Sequence, residues 1–445
     1  MSSSNIERRC IFNDGIAIAD PEGSCPTRTV VCEVPGLAGT PSRFAIPLPM
    51  LECLRLFDGE RTPAEVAAAY RSTNPDSIYS AEKLSHLVEN FLLPKRILFD
   101  PDRPDVSADQ APRQGYLYFR IPLLPGRVVY PIARALGVLF YKPLMLTLLA
   151  VAAVAHIYFY TWAVHAYQID INRFKGRPLV DVTLWAMLAA IGHEFGHAAA
   201  LARHGFRKLE IGFGLYLHIP VLYTDVSEAW RLPSIERAVV DIAGIYCQCL
   251  FVIAFLILLI AQGSPTWAYA IVVIDLSIAF SLNPFLRMDG YWLAADLFGV
   301  WNLRALSIRT LKYLSGYLLR KAPSQRNPLA ALGPATATMV SLYSILSLSF
   351  FVWLMVAVGY QVVFVLGPAY PAMVRTAAHT VAAHPPGIAA NLEVAWKSML
   401  FVGCGAFLWR RLRAAASFGA RRIGAWRIAQ PAVVGRAASP VTERR

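Results

Sequence analysis

Apolar positions in this chain fall into two regimes: short periodic patterns before residue 100 and long unbroken runs after residue 140. Residues 1–27 carry little pattern and read as an irregular lead-in. Val30 to Val34 and Phe44 to Leu48 predict short strands, and Pro49 to Phe57 predicts a helix stopped by Asp58-Gly59. Thr62-Pro63-Ala64-Glu65 fits a helix start, with Thr62 as N-cap, Pro63 at the first position and Glu65 at the third. Ala64 to Tyr70 is that helix. After a turn at Asn74-Pro75-Asp76, Ser80 caps a further helix running to about Leu92, along which Leu84, Leu87, Val88, Phe91 and Leu92 recur at helical spacing. Strands with three helices make a small winged-helix-like α+β layout.

From Pro101 to Gly126 prolines recur and the pattern fades, which predicts a linker with strand content at Tyr116 to Ile121. Beyond it, membrane spans are expected near 143–164, 180–202, 238–262, 266–286, 336–358 and 389–409, each long enough for a bilayer core of about 30 Å. The last contains Glu393 and Lys397, one turn apart. Between the second and third, Leu209 to Tyr223 alternates loosely through Ile211, Phe213, Leu215, Leu217, Ile219 and Val221. Two readings fit that segment: a hairpin dipping into the membrane, or an amphipathic interfacial segment.

Composition agrees with this division. Of 445 residues, 56% are hydrophobic and 16% charged, against about 25% charged in a soluble domain. A disordered chain is excluded, and the composition argues against a wholly soluble one. The net charge of +13 raises the possibility of nucleic acid, but its placement argues otherwise. Arg113, Arg120, Arg127, Arg134 and Lys142 precede the first span; Arg203, Arg207, Lys208, Arg231 and Arg237 follow the second; Arg304, Arg309, Lys312, Arg320, Lys321 and Arg326 follow the fourth; Arg410, Arg411, Arg413, Arg421, Arg422 and Arg427 follow the last. Six spans with both termini cytoplasmic satisfy that pattern, so the charge reads as topology and lipid contact. The opening residues lead into no long apolar run, so no secretory signal is expected. The 7 cysteines lack paired metal-ligand spacing, and Cys10, Cys25, Cys32 and Cys53 should stay reduced.

The chemistry concentrates in His193-Glu194-Phe195-Gly196-His197. Residues i and i+4 share a helix face, so both imidazoles can bind one zinc ion, with Glu194 placed to act as base toward water. Ionisable groups within an apolar span are costly and mark function. The alternative is two hydrogen-bonded histidines packed between helices. Zinc needs a third protein ligand, and Asp289 in Asn283-Pro284-Phe285-Leu286-Arg287-Met288-Asp289-Gly290 is the candidate. Spans two and four run in the same direction, so both motifs can meet at one depth. Pro284 breaks the helix and Gly290 leaves room for close approach. Asp225, Asp241, Asp275 and Asp296 compete for the role, with Asp241 and Asp275 next in line. His156, His165 and His218 read as packing or interfacial residues.

A histidine motif in a membrane helix, followed downstream by Asn-Pro and Asp-Gly, resembles the site-2 protease family of intramembrane zinc metalloproteases. Leu282 to Leu293 and Tyr223 to Trp230 resemble more closely its peptide zinc metalloprotease branch, whose members accompany bacterial peptide-modification and export systems. The resemblance covers residues 130–310. It implies one Zn2+ held by His193, His197 and Asp289, Glu194 as the catalytic base, and Asn283 near the substrate. Two features depart from the family: no Pro follows Gly244, where Gln248 stands in place of an Asn amide, and the Asp-Gly motif has a single Pro. The stretch Leu54 to Ala67 resembles the small winged-helix domains related to the peptide chaperone of pyrroloquinoline quinone synthesis, which bind leader segments of precursor peptides.

The expected organisation is therefore mainly α and polytopic: lead-in 1–27, winged-helix peptide-binding domain 28–105, linker 106–130, metalloprotease core 131–310, additional transmembrane helices 311–410 and a basic tail 411–445. The expected function is hydrolysis of a membrane-associated or leader-bearing peptide in a bacterial inner membrane, for peptide maturation or export. An exporter or modifying enzyme is an expected partner, and nucleic acid is not. A non-proteolytic membrane scaffold and a regulated protease releasing a transcription regulator are the alternatives.

Overall fold

The structure, a computed structural model, describes residues 9–19, 29–34, 42–75, 77–101, 117–167, 177–216, 219–300, 302–318, 327–330 and 332–369, with isolated positions between 371 and 413. The amino-terminal part has its own core. β1 (Ile11–Phe12) pairs antiparallel with β5 (Leu98–Phe99), while β2 (Ala17–Ala19), β3 (Thr29–Val34) and β4 (Ser42–Pro47) form a separate antiparallel sheet in that order. Three short helices complete it: α1 (Leu48–Leu54), α2 (Pro63–Thr73) and α3 (Ala81–Leu87). Val30, Val34, Ile46, Leu54, Phe57, Val66 and Leu84 fill the space between them. The expected start of α2 is present as a capping box. The Thr62 hydroxyl accepts from the Glu65 N–H at 3.3 Å, and the Glu65 carboxylate accepts from the Thr62 N–H at 2.8 Å. Beyond α3 the chain widens into one π-helical turn, Val88–Leu92, where an unbroken helix was expected.

The region read as a linker is described from Leu117 onward. β6 (Leu117–Leu124) pairs antiparallel with β7 (Ile211–Tyr216), and β8 (Ile219–Thr224) lies on the far side of β7. The strand content expected at Tyr116 to Ile121 is present, and Pro122 is tolerated because it sits on an edge strand, where a missing N–H costs no ladder bond. α4 (Gly126–Leu136) follows directly, with Arg127 and Arg134 among exposed Val128 and Ile132. Of the two readings of Leu209 to Tyr223, the hairpin strands form.

Four helices are long and apolar enough to cross a membrane: Lys142–Ala166, Pro178–Ala202, Ser234–Gln262 and Pro334–Ala369. The first comprises α5 (Lys142–Tyr158), a π turn at Phe159–Ala163 and α6 (Val164–Ala166). The second lies within α7 (Arg177–Ala202), and the third is α8 (Ser234–Gln262). α9 (Pro265–Ser281) has 17 residues where a span over 266–286 was expected. At 1.5 Å per residue it reaches only about 25 Å, because Asn283-Pro284 ends the helix early. α10 (Asp289–Leu297), α11 (Leu303–Leu318) and α12 (Pro334–Tyr360) follow. The sixth expected span, with Glu393 and Lys397, and most of the basic tail lie outside the described residues.

α7 is sandwiched by α4, α8 and α9, with Ala198, Ala199 and Leu201 buried against Val240, Ala243 and Tyr246 of α8. Small residues let the two backbones approach closely, the packing expected where lipid supplies no hydrophobic drive. A second cluster joins Phe159, Val182, Ala189, Val252, Phe255, Trp267 and Ile271 of α7, α8, α9 and the first spanning helix.

Candidate metal centre

His193, Glu194 and His197 are buried on the face of α7 that meets α8. The antiparallel neighbour supplies an acceptor to each ring. His193 Nδ1 lies 3.0 Å from Gln248 Oε1, and His197 Nδ1 lies 2.7 Å from the Val240 carbonyl. Gln248 is itself oriented, because its Nε2 donates to Ser277 Oγ on α9 at 3.2 Å. Both partners can only accept, so each imidazole directs an Nδ1 proton to α8 and turns its Nε2 toward the other ring.

Those two Nε2 atoms face each other at 3.1 Å. The Asp289 carboxylate completes the group, with Oδ2 3.1 Å from His193 Nε2 and Oδ1 3.7 Å from His197 Nε2. Two ring nitrogens and a carboxylate converge on one point, a donor set suited to a cation, and all three ligand atoms lie within 4.8 Å of one another. Zinc held tetrahedrally at about 2.0–2.1 Å requires its ligands about 3.3 Å apart, so the residues present fit the ion.

Asp289 reaches this point through the loop that interrupts the helix. Asn283 Oδ1 accepts from the N–H groups of Phe285 (2.9 Å) and Leu286 (3.3 Å), closing a turn around Pro284. Tyr343 Oη donates to the Pro284 carbonyl at 3.0 Å, and Tyr216 Oη accepts from the Arg287 N–H at 2.9 Å. A Cβ on Gly290 would fall on the Leu282 carbonyl, so only glycine permits the chain to fold back here. α10 is then clamped to α8. Arg237 donates from Nε and Nη2 to both oxygens of Asp296 at 2.7–3.0 Å, and from Nη1 to the Leu232 carbonyl.

Glu194 points toward the sheet. Thr224 at the end of β8 has its Oγ1 2.7 Å from Glu194 Oε2 and 2.9 Å from the Glu194 carbonyl. Nearby, Tyr223 donates to Glu210 at 3.1 Å; burial first, and then Glu210, pushes its phenol up to about 12, so it stays protonated.

Four other carboxylates compete for the third ligand position in sequence, and none joins the group. Asp275 binds His156 Nε2 at 3.0 Å and accepts from Tyr160 Oη at 2.7 Å. Asp296 is held by Arg237, and Asp241 lies against Asp296 with one oxygen unbonded. Asp225 caps the Ser227 N–H at 3.0 Å. Asn283, expected near the substrate, turns its carbonyl oxygen into its own loop. His218 lies outside the described residues.

Sequence reasoning did not single out Thr224, and it took Asp296 only as a competing ligand and Arg237 only as a topology charge, without their pairing. A signal existed for the last two, since charged side chains beside apolar helices need a partner. Thr224 had none beyond its place in a noted segment. No protein-family model, curated protein or solved structure matches this chain.

Proposed function

We propose that this protein is a membrane-embedded zinc peptidase, with His193, His197 and Asp289 as metal ligands and Glu194 as general base. The observation that carries the reading is the convergence of both Nε2 atoms on the Asp289 carboxylate, with each Nδ1 engaged elsewhere. A structural histidine pair has no need of an opposed carboxylate. Zinc bound there supplies Lewis-acid chemistry toward water and a peptide carbonyl. Glu194 takes a proton from water and returns it to the leaving amine. Thr224 holds that carboxylate by a hydrogen bond to Oε2. Gln248 and Val240 fix the imidazole tautomers.

The substrate is a peptide in extended form. β8 is an edge of its sheet and ends at Thr224, beside the base, so a peptide added as a further strand would bring its backbone to Glu194. A membrane-associated or leader-bearing peptide entering from the cytoplasmic side fits this geometry, and the edges of the amino-terminal sheet offer a second place for a leader to pair. Gly244 and Gln248 both lie against His193 despite the missing proline, which supports the peptidase reading over the scaffold alternative.

The test is Glu194→Gln in the full chain, reconstituted in lipid. Zinc should be retained while processing of the cognate peptide falls by several orders of magnitude. Unchanged processing would end the proteolytic reading.

A further inference from the structure

Arg287 stands in the loop between α9 and α10, two positions ahead of Asp289. Its main-chain N–H is tied to Tyr216 at the end of β7. Its side chain is different: Nε is shielded from solvent and has no hydrogen-bond partner among the described residues. Acids of the ligand loop, of α10 and of the segment before β7 have other partners. Asp289 faces His193 and His197, Asp296 is chelated by Arg237, and Glu210 accepts from Tyr223.

A guanidinium keeps its charge at all relevant pH values and presents a planar fork of donors. A shielded, unbonded donor carries a desolvation penalty that native structures normally offset with a partner. The group that satisfies a fork of this kind is a planar anion accepting two parallel bonds, above all a carboxylate. Arg287 stands two positions from Asp289 on the same loop, so a peptide bound at the His193–His197–Asp289 centre brings its own acceptors close to this guanidinium.

We propose that Arg287 recognises a carboxylate of the bound peptide and makes the protein selective for peptides carrying an acidic group at a fixed distance from the His193–His197–Asp289 centre. The inference rests on the peptidase reading and names a substrate class within it. The carboxylate has two sources, an Asp or Glu side chain or the peptide's own carboxyl terminus. Tyr216 and the Asn283 turn hold the backbone of Arg287, so the distance is set by the loop and not by the flexible side chain alone.

The test separates recognition from turnover. Full-length Glu194→Gln protein in lipid nanodiscs is titrated with short fluorescein-labelled leucine–alanine peptides. One series carries a single Asp moved along the chain, each with its Asn counterpart; the other has a free or an amidated carboxyl terminus. Fluorescence anisotropy reads binding. The expected result is about tenfold or tighter binding of acid over amide at one position of one series. Arg287→Gln should erase that difference at unchanged zinc content, and Arg287→Lys, which keeps charge without the fork, should retain only part of it. Should Arg287→Gln fail to fold, Arg287→Lys against wild type reads the same contrast. Equal affinities for acid and amide, a preference surviving in Arg287→Gln, or no binding of any acidic peptide would each overturn the inference. So would loss of co-purified anionic lipid in Arg287→Gln without any acid preference, since lipid phosphate would then be the partner. Loss of peptide processing is not read in this assay, so failure of the peptidase reading shows separately in the Glu194→Gln comparison.

Discussion

Replacing Gly244 with alanine tests how closely α8 defines His193, the first of the proposed metal ligands. A Cβ at position 244 would lie 2.5 Å from His193 Nε2 and 2.6 Å from both Cδ2 and Cε1. Unstrained contacts of this kind sit at about 3.5–4.0 Å, so the ring must retreat by about 1 Å or the helices must part. Retreat also strains the 3.0 Å bond from Nδ1 to Gln248. Metal–ligand distances tolerate only about 0.2 Å, so an imidazole displaced this far ceases to be a ligand. The fold should survive. Overpacking costs about 1–3 kcal/mol, and alanine returns about 1 kcal/mol in helix propensity over glycine. The net loss is therefore about 0–2 kcal/mol. The assay is zinc content by mass spectrometry with competition against a chelator, alongside circular dichroism. Zinc affinity should fall by more than about 100-fold, the upper end for loss of a group that merely supports a ligand, with helicity unchanged. Gly316→Ala is the control, since nothing lies within 4 Å of its added Cβ. Wild-type zinc affinity in Gly244→Ala would refute the placement of His193 against α8.

Three further outcomes follow from other parts of the structure. Gln248→Leu removes the acceptor on His193 Nδ1 and should weaken zinc binding about 10- to 100-fold in the same competition assay, with little change in thermal stability. Asp296→Leu leaves the buried Arg237 without its counter-charge and should destabilise the protein by about 3–5 kcal/mol in denaturant unfolding, whereas Asp225→Asn should change little. The buried Cys32 and Cys53 thiols are pushed up to about 11 by burial, opposed at Cys32 by Arg55. A raised thiol favours the neutral form in the folded state, so this contribution is complete below the free value of about 8.5 and lost as pH climbs toward 11. Native-state alkylation of both should stay slow at pH 8 and accelerate across that window; rapid labelling at pH 8 would contradict their burial.

Much of the centre is legible in the sequence because local spacing and helix geometry are enough to read it. The i, i+4 spacing puts His193 and His197 on one face in any α-helix, whatever surrounds it. Asp289 follows from topology, since two helices running the same way bring their ends to one depth, and Pro284 marks where the backbone turns. What stays hidden depends on contacts between distant segments. Thr224 is one of many hydroxyls until β8 folds beside α7, and Gln248 reads as a departure until its amide is seen bonded to both His193 and Ser277. Asp275 looks as eligible a ligand as Asp289 by composition; only packing pairs it with His156 and Tyr160 instead.

The fold shows the same split. The capping box of α2 is local and is present as expected. The run ending near residue 286 looks long enough to cross a bilayer because hydropathy continues past the point where Asn283-Pro284 ends the helix. Strand content at Tyr116 to Ile121 is legible despite the prolines, since an edge strand tolerates them. Its pairing with β7 is not, because that partner lies far along the chain.

The central claim is a single metal ion held by His193, His197 and Asp289. Zinc content of the detergent-purified protein, measured for wild type, His197→Ala and Asp289→Ala, tests it most directly. About one zinc per chain in wild type, lost or greatly weakened in both variants, is the predicted result. Wild-type protein that takes up no zinc under metal-replete conditions, or Asp289→Ala that keeps zinc at full affinity, would contradict it.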